Sequence, residues 1–168
     1  MSAAPQHTPP PDRYFLPLLT TVAYLATVIA VFGFISLLID RDVIDEPDAG
    51  PLLGPVIVAI AAAITLRALV RLSGQPRQGQ GQGPGAVGGR VPWSAAAGAA
   101  ASVYAGMLLV GALIYAWARG EPLWLLFFAV KQAASPFIIA AALLSGLFVI
   151  GFWAMAGRPR VDPRAPTD

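Results

Sequence analysis

The chain has no cysteine and a single histidine, and only 12% of its residues are charged. Without cysteine it can form no disulfide, thiolate metal site, lipoprotein acyl anchor or thiol nucleophile. His7 lies in a proline-rich stretch well before the first apolar run, so no histidine pair exists to ligate haem or a binuclear metal centre within a membrane. The low charge content, together with a mean hydropathy of +0.67, leaves too little polar sequence for a soluble domain. The segments outside the apolar runs are short and rich in Pro, Gly, Gln and Arg, and they could not bury enough apolar surface to offset chain entropy.

What the sequence does have is four long apolar runs, at about 16–39, 52–72, 95–118 and 136–156. A hydrocarbon core roughly 30 Å thick is crossed by about 20 apolar helical residues, and each run is that long. The expected fold is therefore an all-α membrane protein, an up-down-up-down bundle of four transmembrane helices occupying residues 14–157. The tails 1–13 and 158–168 and the Gly/Gln-rich linker 73–91 are expected to be disordered. The first run is longer than a signal-peptide core and ends Leu37-Leu38-Ile39-Asp40 without a small-x-small site, so it is expected to stay as an anchor.

Charge sets the expected orientation. The first loop, Asp40 to Asp48, carries five acids against the one arginine Arg41. The second carries Arg67, Arg71, Arg77 and Arg90 and no acid. Basic residues gather on the cytoplasmic side, which places the second loop and both termini inside, with Arg13, Arg158, Arg160 and Arg164. Only Arg41, Arg119 and Lys131 then lie outside. The pI near 9.4 is accounted for by these flanking arginines, and no nucleic-acid partner is expected. Trp93 and Trp153 fall at the inner level and Trp117 and Trp124 at the outer one, the half-wet depth that indole prefers. Arg67 and Arg71, one turn apart, read as interfacial anchors whose stems reach the headgroups.

Residues 121–136 extend the fourth run but carry Lys131 and Gln132. One helix from Pro122 to Ala156 would measure about 52 Å at 1.5 Å per residue, too long for the bilayer. Ser135-Pro136 has the form of an N-cap followed by proline at the first helical position, so the span is expected to start there. An extra interfacial helix over 122–134 is expected before it, with Trp124, Phe127 and Phe128 in lipid and Lys131 in water. The competing reading is a single proline-kinked helix.

Small residues mark expected helix contacts: Ala23, Ala26, Ala30 and Gly33 in the first span, Gly98, Ser102 and Gly106 in the third, Ala142 and Gly146 in the fourth. They point to close packing of spans one and three inside the bundle, with a homodimer as the alternative.

No reactive constellation is visible. The acids Asp40, Asp42, Asp45, Glu46 and Asp48 supply oxygen ligands of the kind calcium takes. They lack the central glycine and closing glutamate of a calcium loop, and a solvated loop is the plainer reading. Thr20, Tyr24 and Thr27 fall roughly on one face of the first span, with Thr21 and Ser36 nearby. Their hydroxyls can bond the preceding turn, so packing outweighs substrate binding. Lys131 with Gln132 is the best candidate for a partner or lipid contact, with an interfacial anchor as the plainer reading. The small multidrug exporters share the chain's size and span number, but they need an acid inside the first helix where this chain has Thr and Tyr.

The stretch Asp42-Val-Ile-Asp-Glu-Pro-Asp-Ala-Gly-Pro-Leu-Leu-Gly-Pro55, with Val31-Phe-Gly-Phe-Ile-Ser36, resembles an uncharacterised family of small four-span membrane proteins from high-GC Gram-positive bacteria. The resemblance covers the first two spans and their loop. It implies a bacterial plasma membrane and an unknown role, and it assigns no catalytic, cofactor-binding or metal residue. The expected function is that of a non-enzymatic accessory or scaffolding partner in an envelope complex, contacting membrane lipids and an unidentified membrane protein. The alternative is a small transporter or channel subunit, a homo-oligomer with a pore lined by Thr20, Tyr24 and Thr27.

Overall fold

The computed structural model describes residues 14–40, 53–74 and 93–156. They form five helices: α1 (Phe15–Ile39), α2 (Leu53–Gly74), α3 (Trp93–Arg119), α4 (Leu123–Ala133) and α5 (Pro136–Ala156). Every helix but α4 is long and apolar enough to cross a membrane. A helix satisfies its own backbone donors and acceptors, which is the condition for placing a chain in hydrocarbon.

The helix ends follow local chemistry. Pro17 and Pro55 lie in the first turns of α1 and α2 and Pro136 opens α5, where a missing N–H breaks no intrahelical bond. Asp40 closes α1 in the left-handed region at φ 51°, its N–H donating to the Ser36 carbonyl. Gly120 closes α3 at φ 73°, a conformation free of strain only for glycine, and its N–H reaches the Ala116 carbonyl at 2.9 Å. The chain then turns through Glu121 and Pro122 into α4.

Residues 122–156 are two helices, so the single kinked helix does not occur. At the corner the Ser135 N–H donates to the Gln132 carbonyl at 2.9 Å, and the Ser135 carbonyl accepts from Ile139 at 3.1 Å, starting α5 where the Ser-Pro pair predicts.

The four long helices stand in a ring in the order α1, α2, α3, α5, each packed on two neighbours, with α2 and α5 also touching across the centre. Consecutive helices in that ring run antiparallel. The expected α1–α3 contact is therefore a correction: these helices lie diagonally and do not form a packed pair. The closest seam is α3 on α5. A Cβ added at Gly146 would lie 3.2 Å from the Ala96 carbonyl oxygen and 3.5 Å from the Ala100 Cβ, so the missing side chain is what lets these backbones meet.

The main core is built from Tyr24, Val28 and Phe32 of α1, Ile57 and Ala61 of α2, Val103 and Met107 of α3, and Phe137 and Ala141 of α5. A second cluster of Leu69, Ala96, Ala99, Val149 and Phe152 fills the other end. Large apolar side chains also cover the outside. Leu37 is 85% exposed, Trp117 89% and Leu143 67%, a surface suited to lipid and not to water.

The small-residue face of α1 is a second correction. Ala23, Ala26, Ala30 and Gly33 all point outward, and a Cβ at Gly33 would meet nothing within 4 Å. The third correction concerns α4, which keeps Leu123, Leu126, Phe127 and Val130 outward but packs on α3 through Phe128 and the half-buried Trp124. Phe128 is buried in a notch made by Gly111, where an added Cβ would come within 2.9 Å of its ring. Phe127 stays exposed.

Candidate functional site

Among the described residues, three places in the bundle concentrate polar chemistry. The first is a layer at its centre. The Thr65 and Ser145 hydroxyls bond each other at 2.9 Å, linking α2 to α5, while Thr65 also donates to the Ala61 carbonyl at 2.8 Å. One turn away the Tyr24 hydroxyl donates to the Ala141 carbonyl at 3.0 Å, linking α1 to α5. Tyr24, Thr65 and Ser145 are fully buried, and every buried side-chain polar atom among the described residues has a partner. A satisfied layer of this kind fixes the register of three helices; it offers a substrate no free donor or acceptor.

This arrangement divides the hydroxyls of the first span. Thr20 and Thr21 are buried and donate to the Leu16 and Pro17 carbonyls at 2.8 Å. Tyr24 points into the core, whereas Thr27 sits on the outer flank and donates to Ala23 at 2.8 Å. Thr20, Tyr24 and Thr27 thus do not share one free face. Thr65 and Ser145, which complete the layer, escape a reading of hydroxyl runs because each stands alone in its span. The usable signal was that isolation: one hydroxyl amid apolar residues, near midspan, in each of two helices.

The second place is the corner over α4. The Arg119 guanidinium lies over the Trp124 ring at 4.8 Å and the Tyr115 ring at 5.6 Å, and it donates to the Tyr115 hydroxyl at 3.3 Å. Tyr104 donates to the Ala133 carbonyl at 2.7 Å, satisfying an acceptor that the end of α4 would otherwise leave open. Lys131 is exposed, while Gln132 is half-buried beside a void of about 20 Å³ walled mainly by Phe32, Ile57, Met107 and Phe128. The pair expected to act together is split between the surface and the bundle wall.

The third is a cleft of about 480 Å³ between α2 and α3, at the opposite end of the bundle from α4. Arg67 and Arg71 line one side, and Gly98 and Ser102 line the other. The small ladder of α3 therefore faces α2. Gly106 is filled by the Ile64 side chain, but Gly98 and Ser102 leave open space. Arg67 and Arg71 are exposed, as expected of anchors, and they also form the wall of a recess.

Of the acidic loop only Asp40 lies within the described residues; Asp42, Asp45, Glu46 and Asp48 fall outside them, as do both tails and most of the linker. No group of three metal-ligating side chains occurs among the described residues.

Packing, apolar surface and internally satisfied polar layer define a four-helix bundle of the membrane-spanning class, with a fifth short helix braced against it. The chain belongs to a family described only as a family of unknown function, DUF6121, whose family model matches residues 13–168. That match reaches well past the first two spans. Neither the curated proteins nor the solved structures hold a match to the chain.

Proposed function

We propose that this protein is a non-enzymatic accessory or scaffolding subunit of a bacterial envelope complex, held in the plasma membrane with both termini in the cytoplasm, and that α1 is the helix that meets its partner. The observation carrying this reading is the outward small-residue face of α1. Glycine in a helix interior costs about 1 kcal/mol relative to alanine, and nothing inside the bundle requires it at Gly33. Lipid chains do not require it either. A flat row of Ala23, Ala26, Ala30 and Gly33 is what close approach of another helix backbone needs. α1 is also the least covered span, with 17% of its most apolar window buried against 44% in α5.

The test is purification of the tagged full-length protein in mild detergent, beside a four-span protein of matched topology, with co-eluting proteins identified by mass spectrometry. A stoichiometric membrane partner that is lost on Ala26→Leu with Gly33→Leu, while the bundle remains folded, is the expected result. A discrete homo-oligomer held by the same face, with no other protein present, would sink the accessory reading in favour of self-assembly.

A further inference from the structure

Among the described residues, the linker end of the bundle carries the charges of Arg67 and Arg71 with no carboxylate beside them. Arg67 and Arg71 make no hydrogen bond or ion pair within the described residues. The described acids, Asp40 and Glu121, lie at the opposite end of the bundle. The linker that joins α2 to α3 contains Arg77 and Arg90 and no carboxylate, so by composition it adds charge of the same sign. Two guanidiniums one turn apart, unpaired among the described residues, line the recess and offer their N–H groups to an oxyanion. Their planar N–H forks match phosphate oxygens in pairs.

The far wall supports that chemistry. Thr20, Thr21, Thr27, Thr65 and Ser73 each donate back to the carbonyl four residues earlier. Ser102, which lines the cleft, makes no hydrogen bond among the described residues, so its hydroxyl remains available. Glycine and alanine at 95, 98 and 99 keep the recess open.

Below the arginines the lining turns apolar through Ile64 and Ala68. The face of α3 that carries Gly98 and Ser102 continues by helical spacing to Ala105 and Leu109, both exposed. An anion-binding recess at the end of two spans that opens onto a strip of lipid-facing surface fits a molecule with a phosphate at one end and acyl chains at the other. We infer that the α2–α3 cleft is a binding site for an anionic phospholipid, with its phosphate held by Arg67, Arg71 and the Ser102 hydroxyl and an acyl chain lying along Ala105 and Leu109. Basic recesses between transmembrane helices are used this way for anionic headgroups. The site involves no α1 residue and stands or falls separately from the accessory reading.

Native mass spectrometry of the purified full-length protein tests it, with phosphatidylglycerol and phosphatidylcholine of the same acyl chains as probes and millimolar inorganic phosphate as competitor. Phosphatidylglycerol is expected to bind at least about tenfold more tightly than phosphatidylcholine and to resist phosphate. Arg67→Gln with Arg71→Gln should weaken it roughly twenty-five-fold, about fivefold for each charge. Gly98→Leu with Ser102→Leu fills the recess while leaving every charge in place, and it should cost a comparable factor. Circular dichroism and a detergent melt establish that each variant is folded. If the arginine pair cannot be purified folded, the leucine pair decides alone. Unchanged phosphatidylglycerol binding in the leucine pair would show lipid gathering on exposed charge, and the cleft assignment would fall. Complete displacement by inorganic phosphate would overturn the lipid assignment in favour of a soluble anion.

Discussion

α1 and α5 have nearly equal mean hydropathy over their most apolar windows, 2.5 and 2.3, yet 17% of that window is buried in α1 and 44% in α5. Hydropathy therefore says that both helices belong in lipid and nothing about which one holds the bundle together. The difference lies in what each helix does with its small and polar residues. In α5, Gly146 brings the backbone against Ala96, Ser145 bonds Thr65, and the Ala141 carbonyl receives Tyr24. In α1, the small residues face away, and the inward side is held by Tyr24, Val28 and Phe32. Where lipid is as apolar as a core, side-chain shape and hydrogen bonds decide what is central.

Three substitutions bear on this contrast. Gly146→Leu should have the largest effect, because its Cβ starts 3.2 Å from a backbone carbonyl that cannot swing aside. Forcing α3 and α5 apart should cost about 1–3 kcal/mol, read as a lowered midpoint in a detergent or thermal melt. If the midpoint stays put, the seam between these helices is not the one that holds the bundle. Thr65→Val comes next. It keeps the shape but removes the hydroxyl shared with Ser145, and interhelical hydrogen bonds in membranes average about 0.6 kcal/mol. A loss of several kcal/mol there would mean that the polar layer, and not packing, sets the centre. The smallest loss belongs to Gly33→Leu, which meets open space and should leave the isolated protein no less stable, with a gain of up to about 1 kcal/mol from helix propensity. A large destabilisation of the isolated protein would erase the distinction between the two helices.

The same contrast explains what was legible in the sequence. The start of α5 at Pro136 could be read to the residue because Ser-Pro is a local signal, and the separate α4 followed from length alone. The ends of α1 at Ile39 and of α5 at Ala156 also fall where expected, and the remaining ends moved by one or two residues. α3 begins at Trp93 rather than Ala95 and runs to Arg119, since backbone hydrogen bonding, not hydrophobicity, sets where a helix stops, and Gly120 supplies that stop. The direction each face takes was not legible. A span apolar all round carries no periodic mark of its inner side, so the small residues of α1 could be assigned inward as readily as outward. The notch at Gly111 was hidden for a related reason: its meaning depends on Phe128, supplied by an interfacial helix whose aromatic side chains the sequence assigns to lipid. The arginines of the cleft were visible as anchors, but the recess beside them comes from glycine and serine on a different helix.

The bracing of α4 has a consequence for how the molecule is made. Its fixtures on α3, among them the Gly111 notch that receives Phe128 and the Tyr104 hydroxyl that donates to the Ala133 carbonyl, precede α4 in the chain. Synthesis proceeds from the N-terminus, so the socket is complete before the helix that needs it leaves the ribosome. The short helix can then seat on its predecessor before α5 emerges, and the chain's own order of birth spares an 11-residue segment, too short to span the bilayer, from having to find a place by itself.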